Sequence, residues 1–433
     1  MRNVVLILWI GIFVGPAMAE QKPPQNAADI YRKAFELYQT EGQKWTQEVL
    51  DELEAKKQSR TSESEPNLQD FRMHVAELRE RAAWQMEEKI SDFADGYGQL
   101  DKEIEEYVSS HRDVINLVWQ AAAIPGCSWD LNPSDHYDLV YVTELSRKNT
   151  SLRDLHNLVM ADIRIEEEKG NCIRAIHQTV ELLQITSHVG NQEVMDFLTA
   201  MGFVSKNVSY LQRQIGRIPP DVKLLDWLNE RLDQENKRIP SLADCLQNEN
   251  ISFNKEAFEN LFKLYDPNST FTVSDEYLNW SRLYHDAFRK KLIHAVSLPY
   301  PQAIVQLEKL YAALQWDTNN IWENPNQKIL DRDKAYRCDA LLTMTIEDNR
   351  TQVFEISVRT QNHFNALCTA VKVYQAYARA GLLPDQLPAG CPMDLFAMKP
   401  FAYETTSDGF MLRSAGKSSA PDDDFKYEYK LTK

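Results

Sequence analysis

Apolar residues recur at spacings of three and four along most of the chain, which is the period of an amphipathic α-helix. The clearest stripe consists of Leu68, Phe71, Val75, Leu78, Ala82, Met86, Ile90 and Phe93. The same spacing predicts helices over about 28–57, 100–123, 152–168, 172–189, 194–215, 221–238, 241–249, 274–296, 302–315 and 353–380. The pattern therefore predicts a mainly α protein.

Very short turns separate several of these predicted helices. Lys169-Gly170-Asn171 is one such turn, and Gly190-Asn191 is the next. Helices of similar length that are joined by two or three residues must pack antiparallel. We therefore expect antiparallel helical hairpins that form a bundle or a short α-solenoid.

The hydrophobic pattern changes after Gly381. Two short alternating runs, Phe401 to Tyr403 and Phe410 to Leu412, lie on either side of Asp408-Gly409, an arrangement typical of a β-hairpin. A small C-terminal β element is expected here and nowhere else. The predicted regions are 1–19 as a signal peptide, 20–138 as an N-terminal helical region, 139–381 as the hairpin or solenoid domain, and 382–433 as the small tail.

The first nineteen residues have the features of a secretory signal peptide. Arg2 precedes an apolar run from Val4 to Gly15, and Ala17-Met18-Ala19 supplies a small-x-small cleavage pattern. The run is shorter than the about 20 apolar residues that span a bilayer. We expect cleavage after Ala19 and export to the periplasm or beyond, with retention as an anchor as the alternative. No stable membrane span is expected after cleavage.

Charge and cysteine content narrow the expected partners and chemistry. The formal net charge of −16 argues against nucleic acid as a partner, because phosphates require a clustered basic face. Six cysteines allow up to three disulfides in 15 connectivities. At least one disulfide is expected in an oxidising compartment. Cys391 is its expected participant, and Cys172 is expected to stay free.

Residue patterns for catalysis are missing from the sequence. It contains no G-x-S-x-G, no H-E-x-x-H, no phosphate-binding glycine loop and no dinucleotide fingerprint. His285 and His294 share a predicted helix, but nine residues separate them, a spacing that does not form a ligand pair. The tryptophans are expected to pack in the core rather than to form a carbohydrate platform; they include Trp45, Trp84, Trp119, Trp129, Trp227, Trp280, Trp316 and Trp322.

One segment resembles a tetratricopeptide unit. Leu158 to Leu183 has Ala161 in its first helix, a Gly-Asn turn, and Ala175-Ile176 in its second helix. In that family small residues allow paired helices to approach closely, and concave faces bind peptides. Only one such unit can be recognised in the sequence, whereas a tetratricopeptide array needs about three. A helical hairpin without repeat function is the alternative.

A second resemblance covers more of the chain. Ala121 to Cys127 matches an "AAA-x-P-x-C" turn, and the tail contains D-x-F-x-x-K-P-x-x-Y from Asp394 to Tyr403, followed by D-G-F-x-L-x-S-x-G from Asp408 to Gly416. Together with the helical hairpin, these pieces resemble a group of uncharacterised exported proteins of planctomycete-type bacteria. The resemblance implies export and this order of elements, and it implies no activity.

The tail is also similar to the C-terminal segment of type II secretion major pseudopilins, in which a small sheet and an acidic loop can bind calcium. That resemblance implies a calcium site at Asp422, Asp423 and Asp424. A solvated acidic run is the alternative. Pseudopilins are short and begin with a membrane helix behind a prepilin cleavage site, so the chain is not assigned to them.

These observations favour a function in binding over catalysis. We expect an exported, non-catalytic helical scaffold or protein-binding module of the cell envelope, with an envelope protein as its partner. No cofactor is expected apart from the calcium that the tail implies. The alternative is an envelope hydrolase of unrecognised type. A buried carboxylate or histidine pair in a deep pocket would favour the enzyme.

Overall fold

The structure is a computed structural model that describes residues 26–58, 83–129, 139–190, 193–249, 274–322, 350–416 and 425–431. Within these ranges the protein is mainly α with small antiparallel sheets near the C-terminus, which confirms the predicted fold class. The helices are α1 (Ala27–Gln58), α2 (83–95), α3 (Lys102–Ser110), α4 (Arg112–Ala122), α5 (Leu139–Glu168), α6 (Cys172–Leu182), α7 (Gln184–Val189), α8 (Val194–Ile215), α9 (Val222–Asn236), α10 (Leu242–Asn248), α11 (Asp275–Val296), α12 (Tyr300–Trp322) and α13 (Arg350–Ala380).

Two predicted helices are each divided in the structure. The segment 100–123 forms α3 and α4 with a break at His111, whose ring Nδ1 lies 2.8 Å from the carbonyl of Tyr107. The segment 172–189 forms α6 and α7 with a break at Leu183, where Thr186 N donates to the Leu183 carbonyl at 3.0 Å. An i to i+3 bond of this kind tightens the helix locally. The apolar stripe continues through both breaks, so spacing alone does not reveal them.

Side-chain caps and glycine set several helix ends. Asp101 caps α3 by accepting from Ile104 N, and Ser241 caps α10 by accepting from Asp244 N. Gly381, as predicted, ends the last helix: its φ is +74°, and its N–H donates to the Tyr377 carbonyl at 2.7 Å. A left-handed residue after a helix favours glycine, which has no Cβ to clash.

One continuous cluster of buried apolar residues joins the helices. α1 packs on α4, and α8 lies at the centre, where it packs on α13, α5, α6 and α7. The predicted hairpin of α5 and α6 is present, and its small residues Ala161 and Ala175 are fully buried between the helices. Small residues at this position allow close packing of the two backbones.

The tail forms the predicted β element. Strands β1 (Met393–Asp394) and β2 (Lys399–Pro400) pair with each other. Strands β3 (Ala402–Thr405), β4 (Gly409–Arg413) and β5 (Lys426–Lys430) form an antiparallel sheet in that order. Asp408-Gly409 lies at the turn from β3 to β4, as predicted. β5 contacts the end of α8, where a Cβ on Gly216 would lie 1.9 Å from the Lys430 carbonyl oxygen.

None of the cysteines in the described ranges is paired in a disulfide: Cys127, Cys172, Cys245, Cys368 and Cys391. The predicted disulfide through Cys391 is therefore wrong for this part of the chain, whereas Cys172 is free as predicted. Cys245 and Cys368 are buried as small apolar residues in the core. The prediction rested on an oxidising compartment and on the number of cysteines. A disulfide also requires a specific geometry between the two Cβ atoms. Cys338 lies outside the described residues.

No helix within the described ranges is both long enough and apolar enough to cross a bilayer. The predicted signal peptide over 1–19 lies outside the described residues, so its cleavage stays a prediction.

Candidate functional site

The alanine-rich turn that carries one resemblance has a structural role. Asn26 accepts from Ser128 N at 2.9 Å and donates to the Ser128 carbonyl at 2.8 Å. Ala27 N donates to the Gly126 carbonyl at 3.2 Å. The turn after α4 therefore holds the first turn of α1 in place.

A buried polar cluster next to this turn also links elements of the fold. Trp129 Nε1 donates to the His188 carbonyl at 2.7 Å, and the Tyr31 hydroxyl lies 3.1 Å from His188 Nδ1. Burial lowers the pKa of His188. Lys148 and Asp196 form a buried ion pair at 2.7 Å. The Tyr31–His188 contact joins α1 to α7, and the Lys148–Asp196 pair joins α5 to α8.

The tail motifs converge on one buried carboxylate, Asp394. Its Oδ1 accepts from Phe396 N at 3.0 Å, and its Oδ2 accepts from Ser414 Oγ and Ala415 N, each at 2.8 Å. A Cβ on Gly416 would lie 2.4 Å from the Phe396 Cβ, so this glycine permits the close approach of the two segments. The D-x-F and S-x-G patterns therefore hold the tail together.

A cleft of about 760 Å³ lies between α1 and α2 in the part of the chain that the structure describes. We call it the α1–α2 cleft. Its lining includes Tyr38, Gln43 and Trp45 from α1, Met86 and Glu87 from α2, and Tyr107 from α3. The cleft combines aromatic rings with a carboxylate, a composition suited to ligand binding.

Aromatic rings form the inner wall of the α1–α2 cleft. The rings of Trp45 and Tyr107 meet at an interplanar angle of 86° with centroids 5.4 Å apart. The Tyr107 hydroxyl donates to the Tyr38 hydroxyl at 3.2 Å. Behind them, the buried His111 ring packs 4.2 Å from the Tyr107 ring. Burial lowers the pKa of His111, which favours the neutral ring.

Two carboxylates act on the aromatic wall: Glu87 lines the cleft, whereas Asp154 lies outside its lining and acts on Tyr38 and Tyr107 through its charge. Burial raises the pKa of Asp154, on α5, to about 7, and the charge of Glu87 adds to this effect. The pKa of Glu87 is raised because neighbouring protein atoms displace part of its hydration. Among the described residues, neither carboxylate has an ion-pair or hydrogen-bond partner. Burial, with a further contribution from both carboxylates, raises the pKa of Tyr107 to about 12.

The only described lysine on the lining of this cleft is already neutralised. Lys44 forms an ion pair with Glu41 at 2.6 Å. The remaining charge on the described lining is therefore negative whenever Glu87 is ionised.

The arrangement supports two kinds of chemistry. Aromatic faces beside unpaired carboxylates attract cations. Two carboxyl groups in environments that raise their pKa values could also act as an acid and a base. No group of three or more metal-ligating side chains lies together in the described part of the chain. Asp422, Asp423 and Asp424, the predicted calcium residues, lie outside the described residues.

The two histidines of α11 do not form a ligand pair, as their spacing predicted. His285 is buried and His294 is exposed on α11, so they do not share a face. Trp129 is packed in the core, as expected for the tryptophans, but Trp84 is 61% exposed, and Trp45 lines the cleft. Glu87 and Asp154 were missed because they come from separate helices and belong to no local motif.

Comparison with family models, with curated proteins and with solved structures finds no match for the chain. The resemblances of the hairpin and the tail to known groups stay predictions.

Proposed function

We propose that the protein is an exported, non-catalytic helical scaffold of the cell envelope that binds a partner protein in the α1–α2 cleft. The observation that carries the proposal is an open cleft lined by Tyr38, Trp45 and Tyr107 with the unpaired carboxylate of Glu87 at its edge. Aromatic residues that border an open cavity are typical anchors of binding surfaces.

Electrostatics support a partner that is basic at the contact. The chain has a formal net charge of −16, which steers cationic partners toward the protein. The Glu87 carboxylate on the cleft lining then selects a positive group over a neutral one. The export pattern in the first nineteen residues of the sequence supports binding in the envelope.

The alternative is an envelope hydrolase, and one observation favours it. Asp154 has a pKa of about 7, close to the operating pH of a general acid or base, and it lies near the carboxylate of Glu87. The phenols of Tyr38 and Tyr107 remain protonated beside them because their pKa values are raised. Binding is preferred because the described cleft contains no activated nucleophile and no metal-ligand cluster.

Quantitative co-purification from the envelope fraction tests the proposal. Glu87→Lys should reduce partner recovery at least tenfold, because it places a cation where the partner's cation binds. Glu230→Lys, at an exposed position on α9, is the matched charge control and should leave recovery unchanged. Equal recovery with both variants would contradict the cleft as the binding site. The proposal also predicts that Asp154→Asn and the wild-type protein have the same hydrolytic activity. Lower activity in the variant would favour the hydrolase alternative.

A further inference from the structure

A second groove, of about 510 Å³, lies where the start of α10, the turn from α11 to α12, one face of α13 and the turn from β1 to β2 meet. We call it the α10–α13 groove. Its walls include apolar side chains that keep contact with solvent: Ile239, Ala243, Val296, Leu298, Val358, Leu395 and Met398. Mainly apolar walls around a volume of about 300–1,000 Å³ are typical of sites that bind small molecules.

The described lining of the α10–α13 groove contains no charged side chain. The chain as a whole has 48 basic and 64 acidic residues, so an uncharged lining of this extent differs from the rest of the protein. A charged group that entered the groove would lose hydration without gaining an ion pair. The groove therefore favours an uncharged ligand.

Two polar side chains of α13 line the groove and have unused hydrogen-bonding capacity. Ser357 and Gln361 are one helical turn apart on the same face of α13, and the Ser357 hydroxyl makes no hydrogen bond with a described residue. Asn365 Nδ2 donates to the Met393 carbonyl at 3.0 Å, which turns the Asn365 Oδ1 toward Gln361 Nε2. Gln361 Nε2 also donates to Asn236 Oδ1, so Gln361 Oε1 remains as an acceptor.

A hydroxyl group matches this polar pair. It can donate to Gln361 Oε1 and accept from the Ser357 hydroxyl at the same time. An ether lacks the donor, and a carboxylate or an ammonium group brings a charge that the lining does not neutralise. An alkyl chain attached to the hydroxyl can pack along the apolar walls, which removes apolar surface of both the chain and the groove from water.

Met398 has an unusual backbone conformation at the edge of the groove. Its φ is +53°, and it is the only non-glycine residue with a positive φ within the described ranges. This conformation favours glycine, yet the position carries a large apolar side chain that is 41% exposed. Strained residues of this kind cluster at ligand-binding sites. Methionine is unbranched and adapts its shape, which suits it to cover an alkyl chain.

We propose that the α10–α13 groove binds an uncharged amphiphile, an unbranched alkyl chain that ends in a hydroxyl group. Ser357 and Gln361 hold the hydroxyl, and the chain lies against Leu298, Val358 and Met398. The groove is separate from the α1–α2 cleft, so this binding goes beyond the proposed function and is tested independently of it.

Methyl NMR of the full-length protein, labelled at its methionine methyl groups, tests the proposal. The methyls of Met201 and Met398 report on the groove, and the methyl of Met86, in the α1–α2 cleft, is the internal control. Each is assigned from its absence in the corresponding leucine variant. The probes are 1-butanol, 1-hexanol and 1-octanol at pH 7. 1-Methoxyheptane is the match without a donor, and octanoate and octylammonium are the charged matches.

1-Octanol should shift the Met201 and Met398 resonances saturably, with a dissociation constant on the order of 0.1–1 mM, and leave Met86 unchanged. Affinity should rise about fourfold for each methylene from 1-butanol to 1-octanol, because each one buries further apolar surface. 1-Methoxyheptane should bind about fivefold more weakly than 1-octanol. Octanoate and octylammonium should bind at least tenfold more weakly.

Two variants separate binding from folding, with the Met201 methyl as the reporter. Ser357→Ala should bind 1-octanol about fivefold more weakly. Ser146→Ala, at an exposed position on α5, is the matched control and should bind it as the wild type does. Met398→Gly should be at least as stable as the wild type, because glycine prefers a positive φ, and should bind 1-octanol at least fivefold more weakly.

Any of three results would overturn the proposal. An affinity that does not rise with chain length would show that the groove holds no alkyl chain. Octanoate or octylammonium binding as tightly as 1-octanol would contradict an uncharged ligand. Equal affinities for 1-methoxyheptane and 1-octanol, with no effect of Ser357→Ala, would rule out the hydroxyl group as the recognised end.

Discussion

The Ser414 hydroxyl donates a hydrogen bond to Asp394 Oδ2 at 2.8 Å, across 20 residues of the tail. Asp394 is completely buried and also accepts from two backbone N–H groups. A buried carboxylate is stable only when hydrogen-bond donors surround it. This single side chain therefore fixes the end of β1 against the segment that follows β4.

Asp394→Ala should loosen the tail selectively. The substitution leaves two backbone donors and one hydroxyl without an acceptor, at a cost of about 3 kcal/mol. Ser414→Ala removes one donor and should cost about 1 kcal/mol. Hydrogen exchange of the β3 and β4 amides measures both effects, with α5 amides as the internal reference. Equal protection in the two variants would show that Asp394 does not organise the tail.

Lys148 and Asp196 should behave as a coupled pair. Lys148→Met leaves the Asp196 carboxylate buried with Asn149 as its remaining described side-chain partner, and it should reduce the free energy of unfolding by about 3–5 kcal/mol. The double variant Lys148→Met/Asp196→Leu should lose less than Lys148→Met alone. Chemical denaturation of the four species in the double-mutant cycle gives the coupling. Simple additivity of the two single effects would disprove it.

Asp154 should make stability depend on pH. Its folded pKa of about 7 lies above the ordinary value of 3.8, so the folded state holds this proton more tightly than the unfolded chain. The group therefore costs no stability at low pH, and its penalty develops as the pH rises from about 4 to 7 and is complete above 7. Asp154→Asn should be more stable than the wild type at pH 8 by about 1–2 kcal/mol, a figure reduced for partial exposure.

Thermal denaturation of both proteins between pH 4 and pH 8 measures this difference. The gap should close as the pH approaches 4. Asp113→Asn, an exposed position on α4, is the control and should follow the wild type throughout. A constant difference across the pH range would mean that Asp154 acts through packing and not through its charge.

Two glycines of the α8 region should respond in opposite directions to alanine. Gly202 lies inside the helix with nothing within 4 Å of an added Cβ, so Gly202→Ala should stabilise the protein by about 0.5–1 kcal/mol. Gly216 lies at the end of the helix, where the Cβ would clash with the Lys430 carbonyl oxygen. Gly216→Ala should destabilise the protein and displace β5. Denaturation midpoints of the two variants check the signs, and stabilisation by both would refute the contact between α8 and β5.

Apolar spacing predicted the helices well because each helix buries one stripe against the core. The β-hairpin of the tail could be predicted because Asp408-Gly409 is a dipeptide that favours a tight turn between two strands. The breaks at His111 and Leu183 were not, since the stripe runs through them unchanged. The cleft could not be predicted either: Tyr38, Glu87 and Tyr107 come from three helices, and only tertiary packing brings them together.

Site-specific photo-cross-linking in living cells is the most direct test of the proposed binding function. A photoreactive residue is placed at Gln43, an exposed position in the α1–α2 cleft, and at Glu230 on α9 as the matched control. The account predicts a discrete cross-linked partner from position 43, lost when Glu87→Lys is introduced, and none from position 230. The same adduct from both positions, or an adduct at 43 that survives Glu87→Lys, would contradict it.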